Sequence, residues 1–416
     1  MWQPLADGQL QREALQCAVG IAEDLVASLP HMQGDTLGID SAMMAVYLHY
    51  HARSVPGHLA EPPIRKLLDI SMTALETQPM LPSLHGGFVG IAWAAAHLAE
   101  YWMQPGSEDP LSTIDEALLE AMTAARWDGD YDLINGLAGI GVYALERLPG
   151  KAAAALAAAI VRQLEDRCES SSAGISWFTA PALMRGTAQQ EMPHGAYNLG
   201  MAHGMPGVIG FLGGALAAGI VPDRTARLLR GSVAWMRAQL QPEHAPSRYY
   251  RAIGPGIEPV PARTGWCYGD PGVAIALENA AKLAGVPAWS SDAHAIARSA
   301  AGRVLEASGV VDASLCHGAA GLVQIFNRLR HSAGDPVLAS AARRWLAELV
   351  AMRRIGEPHG GFPMRVIGED GRPRWEASAD MLVGAAGVAL TLLAAATAVE
   401  PNWDRLFMLS LAGSRP

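Results

Sequence analysis

The chain has 416 residues, a net charge of −9, 50% hydrophobic residues against 17% charged, and a mean hydropathy of +0.14. That length admits two or three ordinary domains or one large closed repeat. The acidic balance, with only short basic clusters such as Arg353, Arg354 and Arg365, excludes a nucleic-acid footprint; four cysteines (17, 168, 267, 316) are too few for a disulfide framework; and "MWQPLADGQLQREAL" carries no secretory signal.

Alanine and leucine dominate, and long alternating runs of Val, Ile and Thr are missing, so helices are expected and strands are scarce. From the N-terminus, "QREALQCAVGIAEDLVASL" has the spacing of an amphipathic helix. A glycine-led apolar segment follows, "LGIDSAMMAVYL" from Leu37, and the alternation then recurs to the C-terminus. The glycine-led copies read "HGGFVGIAWAAAHL" from His85, "INGLAGIGVYAL" from Ile134, "AHGMPGVIGFLGGAL" from Ala202, "CYGDPGVAIAL" from Cys267, "CHGAAGLVQIFNRL" from Cys316 and "LVGAAGVALTLLAAA" from Leu382. Between them lie further amphipathic stretches, including "PIRKLLDISMTAL", "RTARLLRGSVAWMRAQL" and "PVLASAARRWLAELVAM".

Aligned on the first glycine (38, 87, 136, 204, 269, 318, 384), the copies step by 49 to 68 residues, room for two helices and their loops. The glycine-led helices are apolar nearly all round, as helices buried on both faces should be. Seven inner and seven outer helices fit a closed α/α toroid better than an open solenoid with polar caps, because the last copy is among the most apolar. The expected architecture is thus an all-α toroid forming one domain over 1–416, with helix N-termini around a central cavity. The longer steps insert Gly-, Pro- and aromatic-rich segments near 168–198, 241–264 and 354–380, read either as substrate-facing rim loops or as packing over the ends. The run Met205 to Val221 approaches membrane-spanning length, but its five glycines favour a buried helix. A cytoplasmic, reducing location is the expectation.

Chemistry gathers just before the glycines in copies four to six, which carry His203, then Cys267 with Tyr268, then Cys316 with His317. Cys267 and Cys316 are 49 residues apart yet equivalent in adjacent copies. Two thiolates and one imidazole form a three-ligand zinc set with the fourth position open, the pattern of a catalytic site. The competing reading is two buried cysteines and a satisfied histidine. Cys17, within the first amphipathic helix, and Cys168, at a helix end, read as structural.

"NLGMAHGMPG", "WCYGDPG" and "CHGAAG", in this order and spacing, resemble the signature motifs of the lanthipeptide cyclase family, the LanC-like proteins, over residues 37–398. The first copy, lacking its second glycine at Ser41, is the clearest departure. The resemblance implies an α/α toroid with one catalytic zinc that closes thioether rings, by adding substrate cysteines to dehydroalanine or dehydrobutyrine in a precursor peptide of leader and dehydrated core. It implies zinc ligands at Cys267, Cys316 and His317, with water or the substrate thiolate in the fourth position. It further implies site residues at His203, Asp132, Arg263 and Tyr268.

The chemistry is coherent: a free thiol is only a few per cent ionised at neutral pH, and zinc deprotonates it. His203 is then the candidate acid at the α-carbon. Asp132 orients His203 or raises its pKa, and Arg263 holds either the enolate oxygen or Asp132. Tyr268 is a proton donor, a neighbour of the metal, or packing. Asp380, equivalent to Asp132, is the alternative of a helix cap. No kinase or lyase region precedes the repeats, so a separate dehydratase, and a transporter, are the expected partners. Three rivals remain: a zinc-dependent protein prenyltransferase, a LanC-like enzyme adding glutathione to dehydroamino acids, and a non-catalytic peptide-binding toroid.

Overall fold

The structure, a computed structural model, describes all residues except 33–35, 105, 107, 369 and 411–416. Its principal helices alternate as the sequence pattern requires: α1 Gly8–Ser28, α2 Leu37–Ser54, α3 Ile64–Thr77, α4 Phe88–His97, α5 Ser112–Ala124, α6 Leu137–Glu146 and α7 Lys151–Arg167. They continue as α8 Met205–Ala217, α9 Pro222–Ala238, α10 Asp270–Ala284, α11 Pro287–Ala301, α12 Ala319–Ala333, α13 Pro336–Ala351 and α14 Ala385–Ala396. The even-numbered members up to α8, and then α10, α12 and α14, are the glycine-led segments. Burial separates the two kinds. Every residue of α14 is buried, whereas α13 buries only the stripe Leu338, Ala341, Ala342, Trp345, Leu346 and Leu349.

The chain divides into two compact units. One consists of Met1–Leu81, Gly86–Pro105 and Ala301–Trp403. In it the glycine-led helices pack in the order α12, α14, α2, α4, while α13, α1 and α3 cover α12, α14 and α2. The other consists of Pro82–His85, Gly106–Ala300 and Asp404–Pro416. There α6, α8 and α10 pack in sequence, α7 covers α6, and α9 covers α8. Within each unit an apolar layer is thus sheathed by an amphipathic one.

Why the glycines recur is visible at the helix starts. The chain before each glycine-led helix coils back over its first turn. In five copies a Cβ on the first glycine would lie 2.1–2.5 Å from the carbonyl oxygen six residues earlier: Asp130 for Gly136, Asn198 for Gly204, Arg263 for Gly269, Asp312 for Gly318 and Ser378 for Gly384. The second glycine repeats the constraint, with Gly321 facing the Leu315 carbonyl at 2.0 Å and Gly387 that of Met381 at 1.9 Å. These carbonyls also accept the first helical N–H groups, as in Leu137 N–H to Asp130, Ala138 to Tyr131 and Gly139 to Asp132. The orphan donors of the helix start are therefore satisfied by backbone.

Gly269 alone among the aligned glycines has a positive φ, 136°, which a side chain would resist. The first copy departs again: Gly38 lies inside α2, where a Cβ would meet Ala74 Cβ at 2.4 Å, so this glycine serves packing of α2 on α3.

The insertions hold the strands. β1 Glu169–Ser171 pairs with β2 Gly174–Ser176, β3 Tyr197–Asn198 with β4 Ala252–Ile253, and β5 Met364–Ile367 with β6 Pro373–Glu376, all antiparallel. The β3–β4 pair ties the 168–198 segment to the 241–264 segment. No helix among the described residues is long and apolar enough to cross a membrane; the run from Met205 forms the buried helix α8.

Candidate functional site

In the second unit, three loops meet over a cavity of about 190 Å³. The turn before α6 supplies Asp130, Tyr131, Asp132 and Asn135; the turn before α8 supplies His203; the turn before α10 supplies Tyr268. Backbone bonds stitch these turns together: Leu84 and His85 N–H donate to the Ile134 carbonyl, Leu133 N–H to Ala202, and Ala202 N–H to Cys267. Equivalent positions of successive repeats are thereby held side by side, which is why repeat alignment groups the polar residues.

His203 Nδ1 lies 2.6 Å from Asp132 Oδ2. The other oxygen of Asp132 accepts the Asn135 N–H at 2.7 Å, so one carboxylate fixes both its own turn and the imidazole. Burial disfavours a charged His203, but the hydrogen bond and charge of Asp132 outweigh it, and the pKa is raised above the ordinary histidine value. The His203 and Tyr268 rings stand 6.3 Å apart, centroid to centroid. Asn198 Nδ2 donates to Tyr268 Oη at 3.1 Å, and burial pushes the phenol up to about 12, so it keeps its proton at neutral pH. Gly200 makes room for this ring: a Cβ there would meet Tyr268 Cδ1 at 2.5 Å and the Cys267 carbonyl at 2.3 Å.

Arg263, in the turn before α10, has an exposed side chain, while the Asp132 oxygens accept from His203 and Asn135. The guanidinium beside the acidic turn is Arg185, 3.1 Å from the buried Asp130. Burial and then the neighbouring Asp132 raise the Asp130 pKa, with Arg185 and His203 acting against them. Asp130, Arg185 and Asn198 are residues that sequence reasoning did not single out. Asp130 and Asn198 share one repeat position, six before the glycine, which offered a signal. Arg185 lies in an insertion without a repeat counterpart.

His85, at the repeat position of the two site cysteines, is held neutral, its pKa pushed down to about 3 chiefly by burial. Asp380 accepts N–H bonds from Leu382 and Val383 at 2.6 and 2.8 Å, and so fixes the turn before α14; the cap of that helix is Gly384. Cys17 and Cys168 have thiols raised in pKa by burial, the state of structural cysteines.

Cys267 stands in the turn before α10 of the second unit, and Cys316 with His317 in the turn before α12 of the first. Two thiols and an imidazole are a soft donor set of the kind that suits zinc. In the first unit, buried Asp312 lies 3.5 Å from His317 Nε2 through Oδ2.

A family model described as lanthionine synthetase C-like protein matches residues 36–408. The nisin biosynthesis protein NisC of Lactococcus lactis subsp. lactis is 25% identical over 297 residues, 64% of this chain and 67% of that protein. A solved structure of nisin cyclase superposes with a TM-score of 0.72 at 20% identity, covering 88% of this chain and 90% of the other. That likeness shows the fold: an all-α, α/α toroid. With the family model spanning most of the sequence, the chain belongs to the lanthionine synthetase C-like family of lanthipeptide cyclases.

Proposed function

We propose that the protein is a zinc-dependent, cytoplasmic cyclase that closes thioether rings in a dehydrated precursor peptide. The observation that carries this reading is a set of two thiols and an imidazole just before the glycines of adjacent copies, in a chain of this family. Cys267, Cys316 and His317 would hold the ion, whose contribution is to ionise a coordinated substrate thiol at neutral pH. The dehydrated peptide would come from a separate dehydratase.

The protein's own residues supply the rest. The thiolate sulfur bonds to the β-carbon of dehydroalanine or dehydrobutyrine, and the π electrons shift to an enolate. A proton then arrives at the α-carbon. His203 is suited to give it: Asp132 occupies Nδ1 and favours the imidazolium, leaving Nε2 as the ring atom for the substrate. Tyr268, which keeps its proton, would donate to the developing oxyanion. The proton balance closes, because the substrate thiol loses one proton and the α-carbon gains one. For Arg263, exposed at the edge of the turn before α10, we propose contact with the incoming peptide in place of a bond to Asp132.

Purified protein should carry close to one zinc per chain, and Cys316→Ala should remove it. Ring closure leaves peptide mass unchanged, so it is read as the loss of alkylatable thiols in a peptide bearing cysteine and dehydroalanine. Metal retained in full by Cys316→Ala would sink the site. A glutathione adduct formed faster than the ring would assign the chemistry to an intermolecular addition.

A further inference from the structure

We infer that Asp312 is a positioning residue that fixes the ring of His317 for metal binding, an inference resting on the zinc reading above. Its side chain is 1% exposed. Oδ1 accepts the Ser314 N–H at 3.0 Å and the Ser314 hydroxyl at 2.7 Å. Oδ2 accepts the Arg365 N–H at 3.3 Å, from strand β5, and faces His317 Nε2 at 3.5 Å. Ser314 Oγ in turn accepts the His317 N–H at 3.5 Å, so the three residues form one closed network. A carboxylate offers about four acceptor directions, and all four are used here.

The scaffold does not call for an acid at this place. The backbone carbonyl six residues before the glycine does the structural work, accepting the Ala319 N–H in this copy. In other copies the same position is Asp130, Asn198, Arg263 or Ser378, with the carbonyl in the same place, so the frame accepts acid, amide, base and hydroxyl alike. A buried carboxylate costs several kcal/mol unless its partners compensate, so a side chain chosen only for the turn would be neutral. What an acid does that serine or asparagine does not is present only acceptors to the imidazole. Nε2 must then carry the ring proton, and Nδ1 is left as the lone-pair atom. Four bonds on Asp312 keep it from rotating away, and the amide of β5 extends that hold into the 354–380 insertion.

Asp312→Asn tests this with almost no change of shape. While the amide oxygen takes the two Ser314 bonds, the amide nitrogen turns its hydrogens toward two groups that are themselves donors. The ring is then driven to the tautomer with its proton on Nδ1, where it blocks coordination. Zinc affinity, measured by competition with a chromogenic chelator, should fall about 10- to 100-fold. In the metal-free proteins, nitrogen NMR of the labelled His317 ring should show protonated Nε2 in the wild type and protonated Nδ1 in the variant. Asp312→Glu, which restores an acceptor-only group, should recover part of the affinity.

If Asp312→Asn does not fold, Ser314→Ala loosens the same carboxylate while keeping its charge, and a several-fold loss of zinc affinity is expected. Unchanged affinity and tautomer in a folded Asp312→Asn, or unchanged affinity in Ser314→Ala, overturn the inference while the zinc reading stands. A wild-type protein that binds no zinc overturns both.

Discussion

The turns before α6 and α12 have one backbone and two uses. "DYDLING" and "DASLCHG" both place an acid six residues before the glycine, and in both its backbone carbonyl accepts an N–H from the first turn of the helix. At the position four before the glycine they differ. Asp132 reaches out of its turn to His203 and lends it negative charge. Ser314 turns inward and anchors Asp312, which faces the ring of His317. In our reading a repeat scaffold thus holds an acid–base pair in one copy and a metal ligand in another, because the carbonyl-to-helix frame is indifferent to the side chains it carries.

The division is broken most directly at His203. In our reading His203→Ala loses ring closure by about 10²- to 10⁴-fold, the range for a positioned general acid, and keeps its metal. Zinc content and thiol consumption, measured on one preparation, separate the two loops. A variant that cyclises at near-normal rate would remove the proton role from the α6–α8 pair.

The shared frame comes next. Gly321→Ala sets a methyl 2.0 Å from the Leu315 carbonyl, and Gly139→Ala sets one 2.4 Å from that of Leu133. Backbone on both sides leaves little room to relax, so each should cost about 3 kcal/mol in denaturant unfolding. If either variant is as stable as the wild type, the glycines are not there for this contact.

A subtler difference is in pH. His203 is raised in pKa, while its ordinary value is about 6.5. The His203 pairing therefore stabilises fully below about pH 6.5, where the imidazole is charged, and fades as pH rises through the higher folded value. Melting temperatures of the wild type and Asp132→Asn should be farthest apart on the acid side of neutrality and converge in alkali. The alkaline limb of ring closure should move to lower pH in Asp132→Asn, because the main influence that opposes burial at His203 is then lost. An alkaline limb that stays in place would assign the titration to another group.

Much of this organisation was legible in the sequence, for identifiable reasons. The glycine pairs mark places where a backbone carbonyl abuts the helix start, and that constraint survives when everything else in the copy changes. Repeat alignment brought Cys267 next to Cys316 although 49 residues separate them. The partners of the polar residues were harder to read. Asp312 meets the β5 amide 53 residues away, and Arg185 reaches Asp130 from an insertion with no fixed register to the repeats. Arg263 was read as holding either the enolate oxygen or Asp132, and its exposed side chain leaves that choice to the substrate complex. Periodicity finds frames; it does not say which side chain turns inward.

The smallest effect sharpens this last point. Both acids six before the glycine have an arginine near them, and the contacts differ in kind. Arg185 meets Asp130 through its guanidinium, whereas Arg365 meets Asp312 through its backbone N–H. Exchange of each arginine for glutamine therefore should not be equivalent. Arg185→Gln removes a cation that opposes the raised pKa of Asp130, and a more protonated Asp130 lends less charge to His203. Because the guanidinium is 60% exposed, the cost in stability should stay within about 1 kcal/mol, with ring closure slowed a few-fold and its alkaline limb moved slightly down. Arg365→Gln keeps the amide, and its zinc affinity should match the wild type. Equal losses of zinc affinity and ring closure in the two variants would mean that both arginines act through peptide binding, and the distinction between side-chain and backbone support would fall.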